Sequence, residues 1–233
     1  VTGQPCLVIT GASRGIGQAT AERFLEGGFR VVNLSRSAPL DGRVEHLPAD
    51  LFDPDWEDEL AGPLRAAVSG AGRVVLVHNA ALQPHGGVPA LEAGVLRRAL
   101  ELNVVAPSIL NRLLLPAMPA GSSVLYVGST LSLKATANVA AYVASKHALL
   151  GLMRATCQDL VDSGVHTACV CPGFTDTEML RGYGGEVVRQ LARASAMNRL
   201  VKPEEVAESL FFCAGNPAVN GTVLRADLGL IEP

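Results

Sequence analysis

The stretch CLVITGASRGIG at residues 6–17 decides the fold. Its first five residues are an unbroken apolar run, as expected of a strand buried on both faces. A helical period begins near Ile16. Between strand and helix, glycines at 11, 15 and 17 let the backbone turn tightly and approach a pyrophosphate. The start of the helix then offers free N–H groups to that charge. Ser13, Arg14 and Ile16 complete this candidate phosphate cradle. A glycine triplet alone is weak evidence. The strand before it and the helix after it supply the context such a turn requires.

Outward from this unit, short apolar runs alternate with longer segments of helical period, the pattern of a parallel sheet covered by helices. Strands are predicted at 6–10, 30–35, 44–47, 74–78, 123–127, 165–171 and 223–226. Helices are predicted at 16–27, 56–69, 91–115, 140–162 and 203–214. The segment 178–202 is the least regular and reads as a mobile lid over the substrate. Residues 113–133 carry no charge, but Pro116, Pro119 and Gly121 would break a spanning helix there. Two elements joined by a turn are expected instead.

Composition narrows the function. Hydrophobic residues make up 48% of the 233 and charged residues 18%, a globular balance. A formal charge of −3 gives no basic surface for nucleic acid or an anionic membrane. The five cysteines form no CxxC pair, and no metal site is expected. Cys169 and Cys171 alternate along a predicted strand, which suits small apolar fillers on one face. Reduced thiols and the lack of an apolar leader point to the cytoplasm.

The nucleotide can be read from the end of the second strand. An Asp or Glu there would accept hydrogen bonds from the adenosine 2′-hydroxyl of NAD. This chain has Ser35, Arg36 and Ser37, and its next acid, Asp41, lies beyond Pro39. A guanidinium suits a 2′-phosphate, with Arg14 placed to close on the other side. NADP(H) is therefore the expected cofactor.

Tyr142 and Lys146 are one helical turn apart and share a face. A neighbouring ammonium favours the phenolate, so such a tyrosine can act as acid or base near neutrality. Ser129 follows the strand at 123–127, where a parallel sheet presents its carboxyl end to ligand. Its hydroxyl can hold a substrate oxygen while charge develops.

Taken together, these pieces resemble the short-chain dehydrogenase/reductase family over nearly the whole chain. Thr10 to Gly17 matches its TGxxxGxG turn, and Asp50-Leu51 its acid-plus-apolar pair against adenine. His78-Asn79-Ala80-Ala81 is similar to its NNAG segment beside the adenine ribose. Asn103 sits where the family has its catalytic asparagine, and Ser129 with Tyr142–Lys146 matches its serine and YxxxK. The run Pro172, Gly173, Phe174, Thr175, Asp176, Thr177 matches the PGxxxT segment that folds over the nicotinamide carboxamide. His78 and Ala81 depart from NNAG, and the ending Arg225-Ala226-Asp227-Leu228-Gly229 has one glycine where two are common.

The resemblance implies a Rossmann-like doubly wound α/β fold, a single domain with about seven parallel strands. It implies hydride transfer between NADP(H) and a ketone or 3-oxoacyl-type carbonyl or its alcohol. Tyr142 would relay the proton, Lys146 bind the nicotinamide ribose and Ser129 position the oxygen. Asn103 would hold a water linking Lys146 to solvent. It also implies a homodimer or homotetramer packed through the helices at 91–115 and 140–162. A nucleotide-sensing regulator and a lyase of related fold are the alternatives; Lys146, Gly15 and Gly17 speak against the lyase. Leu131, Phe174, Met179 and Tyr183 are candidate pocket walls, and Arg181, Arg189, Arg193 and Arg199 candidates to reach an acidic group.

Overall fold

The computed structural model describes residues 3–182 and 184–230. Tyr183 lies outside the described residues. Seven parallel strands form one sheet: β1 (Cys6–Thr10), β2 (Arg30–Ser35), β3 (Glu45–Pro48), β4 (Val74–His78), β5 (Ser123–Val127), β6 (His166–Pro172) and β7 (Thr222–Ala226). Their spatial order is β3-β2-β1-β4-β5-β6-β7. The chain reverses direction of growth between β1 and β4, and in such sheets the crevice at that point takes the ligand.

The central strands are apolar throughout because both faces are covered. Along β1, Cys6 and Val8 enter one core while Leu7 and Ile9 enter the other. The first core is closed by α2 (Trp56–Val68), α4 (Ala106–Leu114) and α5 (Ala140–Asp159). The second is closed by α1 (Gly15–Glu26) and α8 (Pro203–Gly215). Pro203 opens α8, with Glu204 and Glu205 in its first turn, as the helix dipole favours.

The uncharged run 113–133 resolves as expected, into the end of α4 and β5. The single helix predicted at 91–115 does not. It divides into α3 (Ala93–Leu100), a π-helical turn at Glu101–Val105, and α4. Pro107 explains the break. It has no N–H to give the Asn103 carbonyl four residues back, and its ring crowds that carbonyl. Within the segment 178–202 lie α6 (Glu178–Arg181) and α7 (Gly185–Arg193).

A polar chain crosses the first core. Tyr126 Oη and Thr156 Oγ1 are 3.0 Å apart, and Asn111 Nδ2 donates to Tyr126 Oη at 2.7 Å. Asn111 Oδ1 faces His78 Nε2 at 2.8 Å. His78 Nδ1 is buried and has no partner among the described residues. Burial pushes His78 down to about 4, against which the Asn111 bond works only partly. A protonated imidazole would have to be desolvated here, whereas the unfolded chain binds that proton near its ordinary value. Stability is therefore whole above pH 6.5 and falls as pH drops toward 4, by about 3 kcal/mol in total. Urea unfolding between pH 7 and 4.5 will show this slope, and His78→Asn will flatten it whatever that variant's absolute stability. An unchanged slope in His78→Asn would show that other groups cause it.

Candidate active site

The cleft opens at the carboxyl end of the sheet, with a volume of about 1190 Å³. Its first wall is the turn after β1. Gly11 and Gly15 have φ of +74° and +57°, the left-handed region that side chains resist. Two residues brace the turn from neighbouring strands. Asn79, after β4, donates Nδ2 to the carbonyls of Thr10 at 2.9 Å and Gly11 at 3.0 Å. Thr10 Oγ1 accepts in return from the N–H groups of Asn79 and Ala80, each at 3.0 Å. Asn33, on β2 and fully buried, accepts from Ala12 N at 2.7 Å. Sequence reading missed Asn33. A polar residue inside an otherwise apolar strand was its signal.

The Arg14 side chain, at the N-cap, does not cap α1, which leaves N–H groups of its first turn to meet a ligand. The cleft runs from Arg36, Asp50 and Leu51 past Ser13, Arg14, Ile16 and Gly17 to Ser129, Tyr142 and Lys146. Its length, its glycine-lined floor and the uncapped helix fit an extended dinucleotide. Asp50 also has a local role, since its carboxylate accepts from Phe52 N at 3.1 Å in a turn.

The other wall follows β6. Pro172, Gly173, Thr175 and Thr177 all line the cleft. Thr175 Oγ1 donates to Gly173 O at 3.0 Å, and Thr177 stands at the start of α6, against Gly15. Arg14 does not point free toward a 2′-phosphate. Its guanidinium pairs with Glu178 across the cleft mouth at 3.0 Å. Both side chains are well exposed, so the pair is weak and leaves Arg14 open to exchange partners.

The reactive end is built on α5 and the β5 loop. Tyr142 is half-buried in the first turn of α5 and Lys146 lies one turn on, 2% exposed. Lys146 Nζ donates to Val127 O at 2.7 Å and sits 5.6 Å from the Tyr142 ring centroid. Burial lowers Lys146 to about 8, so it still carries its charge at neutral pH beside the phenol. Ser129 Oγ accepts from Leu131 N at 3.1 Å, which leaves its own proton to donate into the cleft. Cys169 and Cys171 lie together behind this loop, both fully buried with sulfurs 3.8 Å apart. A Cβ on Gly128 would fall 2.7 and 2.8 Å from these sulfurs, so the glycine lets the loop rest directly on the strand.

Asn103 does not line the cleft. It is 2% exposed, accepts from Leu82 N at 2.8 Å, and donates to Leu82 O at 2.9 Å and Ser145 Oγ at 2.8 Å. Ser145 Oγ in turn donates to Tyr142 O at 2.8 Å. The side chain of Asn103 thus ties α5 to the loop after β4, and its carbonyl is the one that Pro107 cannot serve. Leu131, Phe174 and Met179 line the cleft as expected of pocket walls.

A glycine turn under an uncapped helix, facing a serine, a tyrosine and a buried lysine across one cleft, defines a dinucleotide-linked oxidoreductase of the parallel α/β class. The chain belongs to the short-chain dehydrogenase/reductase family: residues 11–231 match the family model described as enoyl-(acyl carrier protein) reductase. It is similar to cis-4-hydroxycyclohexanecarboxylate dehydrogenase of Sinomonas cyclohexanicum, at 32% identity over 95% of this chain and 94% of that protein. The fold superposes on the ligand-free aldohexose dehydrogenase of Thermoplasma acidophilum with a TM-score of 0.90, at 28% identity over 98% and 94% of the two chains. A blue fluorescent protein from a metagenomic library, solved in complex with NADPH, gives a TM-score of 0.87 at 27% identity over 99% of each chain.

Among the described residues no helix is long and apolar enough to cross a membrane, and no group of three or more His, Cys, Asp or Glu could hold a metal.

Proposed function

We propose that this protein is an NADP(H)-dependent oxidoreductase that interconverts a ketone or 3-oxoacyl-type carbonyl with its alcohol. The observation that carries the reading is the meeting of Ser129, Tyr142 and Lys146 at one end of the cleft whose other end is the glycine turn. The cofactor supplies the hydride chemistry, and the protein supplies alignment and charge. In reduction the Tyr142 hydroxyl gives its proton to the carbonyl oxygen; in oxidation it takes that proton back. The Lys146 ammonium stabilises the phenolate left behind, and the Ser129 hydroxyl donates to the same oxygen as its charge grows. By the family resemblance, Lys146 would also bind the nicotinamide ribose, and the 172–177 run would fold over the carboxamide. The name of the Sinomonas relative includes a hydroxyl on a ring, in keeping with an alcohol substrate.

For the cofactor, support comes from Arg36 at the adenosine end and from the lack of an acid at the end of β2. The NADPH complex of the metagenomic protein agrees. Arg36→Ala is expected to lower the NADPH-over-NADH preference at least tenfold, about 1.4 kcal/mol, in fluorescence titrations of both nucleotides. A tighter fit of wild type to NADH would overturn the assignment. The five unbridged cysteines are in keeping with the cytoplasm. Assembly as a homodimer or homotetramer through the α3–α4 segment and α5 belongs to the same proposal.

A further inference from the structure

We infer that the substrate carries a carboxylate, held by Lys134 on the wall of the cleft. The inference rests on the functional reading above and adds the chemical class of the substrate to it.

The charges of the cleft lead to this residue. Its acids among the described residues are Asp50 and Glu178. Asp50 stands at the adenosine end and Glu178 is paired with Arg14. Of the cations, Arg36 also stands at the adenosine end, and Lys146 is engaged with Val127 O behind Tyr142. That leaves Lys134, half-buried on the segment that follows Ser129. No ion pair among the described residues engages it. The arginines that the sequence offered for an acidic group are placed otherwise. Arg181 pairs with Asp176 at 2.8 Å and Arg199 with Glu205 at 2.7 Å; neither they nor Arg189 and Arg193 line the cleft.

The surroundings give the rest of the ligand. The Lys134 loop is clamped to the loop after β4: Gly86 N donates to Asn138 O at 2.9 Å, and Ala140 N donates to Gly86 O at 3.1 Å. Gln83 and His85 therefore share one polar wall with Lys134 and Asn138. The same cleft is lined from α6 and α7 by the apolar Met179, Val187 and Leu191. A ligand suited to both has an apolar body and one anionic end. Apolar walls strengthen the field of a half-buried ammonium. A carboxylate leaving water needs such a partner, because unpaired it would lose its hydration without return.

The test is binding of cyclohexanecarboxylate against cyclohexanecarboxamide, which share a shape and differ in charge. Calorimetry is run on the NADP+-loaded protein. Wild type is expected to prefer the carboxylate at least tenfold. The preference should vanish in Lys134→Met, whose cofactor affinity and circular dichroism should match wild type, and return in Lys134→Arg. Equal affinity for the two probes, binding of neither, or a preference that survives Lys134→Met would overturn the inference. Because the readout is binding, a protein that shows the preference yet turns over no carbonyl would sink the oxidoreductase reading and leave the anion site standing.

Discussion

Tyr142→Phe will bind NADPH within about twofold of wild type and reduce carbonyl substrates about 10²–10⁴-fold more slowly, the range lost when a positioned general acid is removed. The substitution keeps the ring, its place in the first turn of α5, and the Lys146 ammonium 5.6 Å from the ring centroid. It removes only the oxygen that exchanges a proton with substrate. The glycine turn is braced by Asn79 and Asn33, residues that the substitution leaves in place. The separation of effects is what makes the experiment informative. Nicotinamide absorbance follows turnover, and fluorescence enhancement of the bound nucleotide follows affinity. A variant within threefold of wild-type activity would remove Tyr142 from the proton path. A wild type that binds NADPH yet turns over nothing on a broad panel of ketones and acyl thioesters would make the protein a sensor.

The parts legible in the sequence were those carried by local pattern. Cys6 to Gly17 encodes strand, turn and helix within a dozen residues, and each piece depends on its neighbours alone. Tyr142 and Lys146 are set by one helical turn. The continuous apolar runs announced parallel strands, because a strand feeding two cores has no polar face to alternate with. What escaped was set by contacts distant in sequence. Asn33 meets Ala12 across a strand pair, and Lys134 matters because Arg181, Arg189 and Arg199 pair with Asp176, Glu186 and Glu205 and none of the arginines of 178–202 lines the cleft. The π turn at Glu101–Val105 had a local sign in Pro107. The strong helical period on either side of it hid the interruption.

Asn103 illustrates how the two kinds of information combine. The resemblance assigned it to catalysis, while its side chain spends its bonds on Leu82 and Ser145. Those bonds hold the loop after β4 against the helix that carries Tyr142, so the residue orients the reactive end from behind.

Two Gly→Ala changes should have opposite signs, and the larger tests the cradle. Gly17→Ala is expected to weaken NADPH binding at least a hundredfold and to destabilise the fold by about 3 kcal/mol, the upper end of ordinary overpacking. Its φ is not the reason, since Gly17 lies within α1 with ordinary helical backbone. The reason is approach. A Cβ there would sit 2.1 Å from the Gly11 carbonyl oxygen and 2.6 Å from Asn79 Nδ2. Gly11 is fixed by its own turn, and Asn79 holds that turn through two hydrogen bonds, so neither can yield cheaply. Helix α1 would have to move off β1, spoiling its packing and the place of its N–H groups together. Gly151 lies inside α5 with open space at its Cβ position. Gly151→Ala should therefore stabilise the protein by about 0.5–1 kcal/mol, with NADPH affinity unchanged. Thermal unfolding and nucleotide titration of both variants decide the matter: if Gly17→Ala binds NADPH like wild type, the pyrophosphate does not lie on this turn.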